Sequence, residues 1–129
     1  MAEALLKREL RGQDGFTVES AGLGALVGHP ASEYSVELMD EMGIDIKDHR
    51  ARQIHPDMVR EADLVLVMEA GHKRAIDDAD ATARGKVYRL CEWQDRDIDD
   101  PYRQPKAAFA DALDDIKEGV ASWAEKIRA

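Results

Sequence analysis

The amino-acid sequence predicts an α/β fold of three layers, in which a mostly parallel sheet carries helices on both faces. Helical and strand-like segments alternate along the chain, an order typical of parallel sheets. The run 62–69 is compact, apolar and of buried-strand length, and 86–91 reads as another strand. The C-terminal segment repeats apolar side chains at steps of three and four, which indicates an amphipathic helix packed on that sheet.

The first half of the chain supplies three predicted elements. Residues 1–10 (MAEALLKREL) place apolar side chains near helical spacing, and 15–20 (GFTVES) reads as a short strand. Residues 24–32 form a loop. A second helix begins at Ser32 and ends before Gly43, a typical C-terminal glycine.

The second half alternates more regularly. Residues 44–54 are irregular or a short strand, and Pro56 starts a short helix that ends near Glu61. The strand at 62–69 is followed by a helix at 70–80 and the strand at 86–91. The last helix carries a single apolar stripe on the side that should face the sheet, made of Phe109, Leu113, Ile116, Val120, Trp123 and Ile127.

Size and charge narrow the functional classes. The 129 residues suit one domain, and 27 acidic against 18 basic side chains give a net charge of −9, which disfavours a nucleic-acid binder. No apolar run approaches the roughly 20 residues of a membrane span. Glu3 and Glu9 interrupt the first apolar pattern, so we expect no signal peptide, no membrane insertion and a cytoplasmic location.

The single cysteine, Cys91, is a poor candidate nucleophile. A reactive thiol needs nearby positive charge or a helix N-terminus, but Glu92, Asp95 and Asp97 follow it and Arg96 is the only base among them. A part-buried strand cysteine is the better interpretation, and one cysteine cannot form a disulfide or a cysteine-based zinc site.

Two other features offer chemistry. In IDDPYR (98–103), Asp100 could donate a proton to a leaving oxygen, although Asp-Asp-Pro is also an ordinary turn. Tyr102 could be a pocket wall. The histidines lack the i, i+4 spacing of a zinc site, so no metal is expected; His49 stands out because it lies in a polar stretch. These residues leave an enzyme and a binding module equally open.

Four motifs together resemble the low-molecular-weight protein tyrosine phosphatases. They are SAGLGALVG (20–28), GIDIKDHRARQI (43–54), ADLVLVME (62–69) and IDDPYR (98–103), in the order and spacing of that family. The resemblance covers nearly the whole chain. The first and last motifs look most like the bacterial subgroup associated with tyrosine kinases of capsule and exopolysaccharide synthesis.

The resemblance implies a flavodoxin-like sheet, no cofactor, and hydrolysis of phosphotyrosine through a phosphocysteine intermediate. It assigns the general acid to Asp100 and the pocket walls to Leu26 and Tyr102. It also implies that Ser20 and His49 belong to a hydrogen-bond network bracing the phosphate loop. The expected partner is a phosphotyrosine protein, such as a bacterial tyrosine kinase.

In the family, an interior strand and a Cys-x5-Arg loop precede the MAEAL helix. The resemblance therefore implies one phosphatase-like domain, residues 1–129, that lacks this strand and loop. We expect this chain alone to be inactive, and either poorly stable or self-associated through exposed edges of strands 16–20 and 63–68. The alternatives are a binding module that docks a kinase tail and, with less support from a single cysteine, an arsenate reductase.

Overall fold

A computed structural model describes residues 1–13 and 15–128 of the chain. Within them the elements are helix α1 (Ala2–Glu9), α2 (Glu33–Glu41), α3 (Pro56–Glu61), strand β1 (Val65–Val67), α4 (Ala70–Ala79), a 3₁₀ turn (Ala81–Ala83), strand β2 (Val87–Arg89) and α5 (Lys106–Arg128). None of the helices in these ranges is long and apolar enough to cross a membrane.

The two strands pair in parallel, with Val65 opposite Val87 and Val67 opposite Arg89. Side chains alternate between the faces of the sheet, as strand geometry requires. Val65, Val67 and Val87 pack in one hydrophobic cluster beside α3 and α4, and Leu66 packs in a second cluster with α1, α2 and α5. Helices therefore cover both faces of a parallel sheet, which confirms the predicted α/β fold.

The strand predicted at 15–20 is wrong. These residues are extended or turn-like and pair with no neighbouring strand, and the first ladder contact in this region is an isolated parallel bridge between Gly22 and Gln53. A strand needs a partner for its backbone hydrogen bonds, whereas here the Ser20 carbonyl accepts its hydrogen bonds from the Arg52 side chain. The predicted strands at 62–69 and 86–91 are present but shorter than expected.

The helix boundaries follow local chemistry. The Ser32 side chain accepts a hydrogen bond from the Ser35 amide at the start of α2, and Gly43 just beyond its end has φ +76°. Pro56 occupies the first turn of α3. These helices begin and end where the sequence predicts.

Helix α5 packs against both α1 and the end of β2. Its predicted stripe is buried from Phe109 to Trp123, and only Ile127 is partly exposed. Close approach is possible because position 119 is glycine: a Cβ there would lie 2.8 Å from Leu90 Cγ and from the Leu90 carbonyl oxygen.

Side chains occupy the backbone groups of Arg89 at the outer edge of β2. The Arg89 amide donates to Glu92 Oε2 (3.1 Å), and the Arg89 carbonyl accepts from Trp123 Nε1 (3.1 Å). Side chains that occupy edge groups block pairing with another chain. Self-association by strand pairing therefore has no access to the backbone of Arg89.

Candidate functional site

Two cavities meet beside the carboxyl end of β1. The first, of about 510 Å³, lies along β1 between residues 19–25 and 64–68. The second, of about 570 Å³, lies between α1, residues 45–49 and residues 98–101. Ligands of open α/β sheets bind at this end of the strands. The residues that line both cavities are Ala2, Glu3, Ser20, Met68, His72 and Asp100.

Asp100 is held at this junction by the backbone. The Ile98 amide donates to the Met68 carbonyl (2.9 Å), which fixes the following turn to the end of β1. Asp100 Oδ1 accepts a hydrogen bond from the Tyr102 amide (3.0 Å), a typical aspartate turn. The side chain is exposed, so its carboxyl group is available to a ligand in either cavity.

Ser20 and His49 converge on Glu3, a residue of α1. The Ser20 hydroxyl donates to Glu3 Oε1 (2.8 Å), while His49 Nδ1 lies 4.0 Å from Glu3 Oε2. Lys7 Nζ donates to the same Oε2 at 3.3 Å. The structure thus brings the two predicted network residues together on a carboxylate.

The environment of Glu3 favours its charged form. Partial burial raises the pKa of this carboxyl, but the hydrogen bond from Ser20 and the charge and hydrogen bond of Lys7 outweigh it, with a further contribution from His49. The pKa of Glu3 consequently lies below its ordinary value. A negative charge is therefore maintained beside the junction of the cavities.

Leu26 and Tyr102 line neither cavity. Both are exposed over 55% of their surface, and the Arg103 guanidinium stacks on the Tyr102 ring with its Cζ 5.1 Å from the ring centroid. Leu26 belongs to a loop whose ends are tied to residues 51–54 by backbone hydrogen bonds. The two predicted wall residues thus lie outside the cavities that Asp100 adjoins.

Cys91 is fully buried and lines neither cavity. Burial raises the pKa of its thiol, and Sγ lies within hydrogen-bond distance (3.3 Å) of the Asp115 carbonyl. The acidic residues that follow it have another role: Asp95 and Asp97 accept from the Arg89 guanidinium (2.6 and 3.2 Å). These contacts agree with the interpretation of Cys91 as a structural residue. The main reason that its thiol is unreactive is burial, and the neighbouring acidic residues matter less.

A sequence profile described as "Low molecular weight phosphotyrosine protein phosphatase" matches residues 1–129. The chain belongs to this family. The resemblance drawn from the four sequence motifs is therefore confirmed.

Bacterial low molecular weight protein-tyrosine-phosphatases are among the relatives. The chain is 48% identical over 129 residues to a "Probable low molecular weight protein-tyrosine-phosphatase EpsP" of Ralstonia solanacearum, covering 100% of this chain and 87% of that protein. It is 38% identical to the phosphatase Wzb of Salmonella typhimurium, covering 99% and 85%.

Solved phosphatase structures share the fold. Vibrio vulnificus Wzb in complex with benzylphosphonate superposes with a TM-score of 0.89 at 37% identity, covering 97% of this chain and 87% of that one. The α/β architecture of this low molecular weight phosphatase is thus the architecture of its solved relatives.

Two residues at the junction of the cavities, Glu3 and His72, were not predicted from the sequence as site residues. Glu3 has no sequence signal as a site residue, because its partners Ser20 and His49 are distant in sequence. His72 lines both cavities, and its Nε2 lies 2.9 Å from Glu69 Oε2. Its signal was its position just after the predicted strand 62–69, where parallel sheets hold functional side chains.

No group of three His, Cys, Asp or Glu side chains within residues 1–13 and 15–128 is arranged to hold a metal ion. The polar groups at the junction are instead the carboxyl group of Asp100, the carboxylate of Glu3 with its hydrogen-bond network, and the imidazole of His72. This set suits proton transfer and positioning.

Proposed function

We propose that residues 1–129 carry the general acid and the supporting network of a phosphatase that hydrolyses phosphotyrosine in proteins. The observation that supports this most strongly is the position of Asp100. Its carboxyl group adjoins both cavities at the end of β1 and is fixed there through Ile98 and the Tyr102 amide. A proton donor must lie within hydrogen-bond reach of the leaving oxygen, and a backbone-fixed turn satisfies this requirement.

The reaction proceeds in two steps. A cysteine thiolate attacks phosphorus, the bond from phosphorus to the tyrosyl oxygen breaks, and protonated Asp100 gives its proton to that oxygen. In the second step the Asp100 carboxylate takes a proton from water, whose oxygen attacks the phosphocysteine and releases inorganic phosphate and the thiolate. Asp100 therefore serves as acid first and base second.

The nucleophile of this scheme is not among the 129 residues. Cys91 is the only cysteine, it is buried, and Arg96 follows after four residues where the family loop has five. We infer that a Cys-x5-Arg loop from outside these residues completes the site and that residues 1–129 alone do not cleave phosphate esters. The cavity along β1 is lined by the apolar side chains of Leu64, Leu66 and Leu90. Such a lining suits a further buried strand packed beside β1.

The same cavity suggests how the chain behaves alone. Because the Arg89 backbone at the β2 edge is occupied, we infer that self-association of this chain proceeds through the β1 side of the sheet, beside residues 64–68. This replaces the expectation of two exposed strand edges, since residues 16–20 do not form a strand.

The names of the relatives point to the substrate. Vibrio vulnificus Wzb is described in complex with benzylphosphonate, which has a phosphonate on a benzyl group as phosphotyrosine has a phosphate on a phenol ring. We infer that this chain acts on phosphotyrosyl proteins in the cytoplasm, among them a bacterial tyrosine kinase of an exopolysaccharide system.

The test is to fuse the interior strand and Cys-x5-Arg loop of a family member to the N-terminus and measure release of phosphate from a phosphotyrosyl peptide. The control is the same fusion with serine in place of the added cysteine. We expect turnover from the fusion and none from the control or from residues 1–129. A folded fusion that binds the peptide without cleaving it would overturn the proposal in favour of a binding module.

A further inference from the structure

The loop of residues 23–27 is held from within by one side chain, that of Gln53. Gln53 Oε1 accepts a hydrogen bond from the Ala25 amide (3.0 Å), and Gln53 Nε2 donates to the Leu23 carbonyl (2.7 Å). The two partners fix the orientation of the side-chain amide, because only its oxygen can accept from Ala25 and only its nitrogen can donate to Leu23.

Backbone hydrogen bonds to residues 51–54 hold the two ends of this loop, and the Leu26 carbonyl within it accepts from the His29 amide (3.0 Å). On one side Gly22 and Ile54 are joined by a hydrogen bond of 2.9 Å, and on the other the Gly28 amide donates to the Ala51 carbonyl (2.9 Å). Between these ties the chain departs from residues 51–54. There the side chain of Gln53 makes the two hydrogen bonds to the loop backbone that a neighbouring strand would otherwise make.

The loop presents an uncharged, apolar surface next to the site. Leu23, Leu26 and Val27 are exposed over 44%, 55% and 67% of their surfaces. No charged residue lies between Ser20 and Gly28, although 35% of the chain is charged. Residues 23–25 also line the cavity along β1 that Asp100 adjoins, so the surface is continuous with the candidate site.

We propose that Gln53 is a positioning residue that holds the loop of residues 23–27 as a preformed contact for uncharged, apolar residues beside the substrate phosphotyrosine. The inference rests on the proposed function and names the peptide chemistry that the site prefers. An ordered loop binds more tightly because less conformational freedom is lost on binding. The aliphatic side chains disfavour a charged substrate segment, whose groups would lose water without gaining a partner.

The clamp itself is tested on residues 1–129 by hydrogen exchange at individual amides. We expect Gln53→Ala to speed exchange at the Ala25 amide by about fivefold, the effect of losing one ordinary hydrogen bond. Exchange at Val120 in α5 reports global unfolding and should not change. Gln94→Ala is the matched control, because the Gln94 amide binds Ser122 far from the loop along the chain. Unchanged exchange at Ala25 would overturn the clamp.

Substrate binding is tested on the active fusion with Gln53→Glu. The carboxylate keeps an acceptor for Ala25 but cannot donate to Leu23. We expect KM for a phosphotyrosyl peptide with apolar neighbours to rise about two- to tenfold, the cost of ordering a loosened segment, with kcat and the hydrolysis of a small aryl phosphate unchanged. Equal losses on both substrates, or no loss on either, would overturn the inference. Absence of turnover before substitution would instead overturn the proposed function.

Discussion

The hydroxyl of Ser20 donates a 2.8 Å hydrogen bond to the carboxylate of Glu3, and this contact joins helix α1 to the start of the loop that precedes the candidate site. The same carboxylate contacts Lys7 within α1 and approaches His49. Helix α1, the segment at Ser20 and the segment at His49 therefore meet at the carboxylate of Glu3. The charged form of Glu3 is the one that these contacts favour, since the pKa of its carboxyl lies below its ordinary value.

Glu3 should make stability depend on pH. Because its pKa in the folded chain lies below its ordinary value, the unfolded chain binds more protons between the two values, and stability rises with pH there. We expect the contribution of Glu3 to be present above its ordinary pKa and lost as the pH falls through the lower native value. Urea unfolding at a series of pH values should show this loss in the unsubstituted chain and not in Glu3→Gln. Glu9→Gln, on the same helix, is the control, and parallel curves for Glu3→Gln and the unsubstituted chain would contradict the account.

Gly119 should not tolerate a methyl group. A Cβ at this position would lie 2.8 Å from Leu90, so Gly119→Ala should lower the free energy of unfolding by about 1–3 kcal/mol despite the better helix propensity of alanine. Gly71→Ala in α4 is the matched control, since its Cβ would approach nothing closer than 3.8 Å. Chemical denaturation compares the two. Equal or higher stability for Gly119→Ala would show that α5 and Leu90 are not so closely packed.

Cys91 should be chemically inert in the folded chain. Burial raises the pKa of its thiol, so few molecules carry the reactive thiolate at neutral pH and the reagent has no access. We expect alkylation by iodoacetamide to be far slower than for the unfolded chain in urea, as measured by mass spectrometry. Rapid alkylation without unfolding would contradict the structural role assigned to it.

Residues 1–129 alone should be a marginal fold. The cavity along β1 leaves apolar surface of the sheet exposed, so we expect either a low melting temperature or an oligomer whose population rises with concentration. Sedimentation velocity and calorimetry at several concentrations measure both. A monomer that melts cooperatively above about 50 °C, as ordinary domains do, would contradict this expectation.

The helices were predictable because their signals are local. Ser32, Gly43 and Pro56 mark helix ends through chemistry that acts within one turn, and the stripe of α5 follows from its periodicity. The parallel sheet with helices on both faces followed from the alternation of elements. Asp100 was predicted as the general acid because a family motif surrounds it. The structure places it beside the cavities at the carboxyl end of β1, and its catalytic role stays a prediction.

The rest depends on contacts between distant residues. GFTVES has the composition of a strand, but a strand forms only where a partner is available, and sequence alone does not show the partner. Glu3 acquires its role from Ser20, and Gln53 from the backbone of Leu23 and Ala25, at separations of 17 and about 30 residues. Such pairs are visible only after the chain has folded.

The most direct test of the account is the dependence of kcat/KM on the leaving group for Asp100→Asn in the active fusion. With phenyl phosphate, whose leaving oxygen needs a proton, we expect a loss of about 10²- to 10⁴-fold. With an aryl phosphate whose leaving group is stable as an anion the loss should be much smaller. Asp111→Asn, an equal change of charge on the exposed face of α5, should leave both rates unchanged. If Asp100→Asn hydrolyses phenyl phosphate as fast as the unsubstituted fusion, Asp100 is not the general acid.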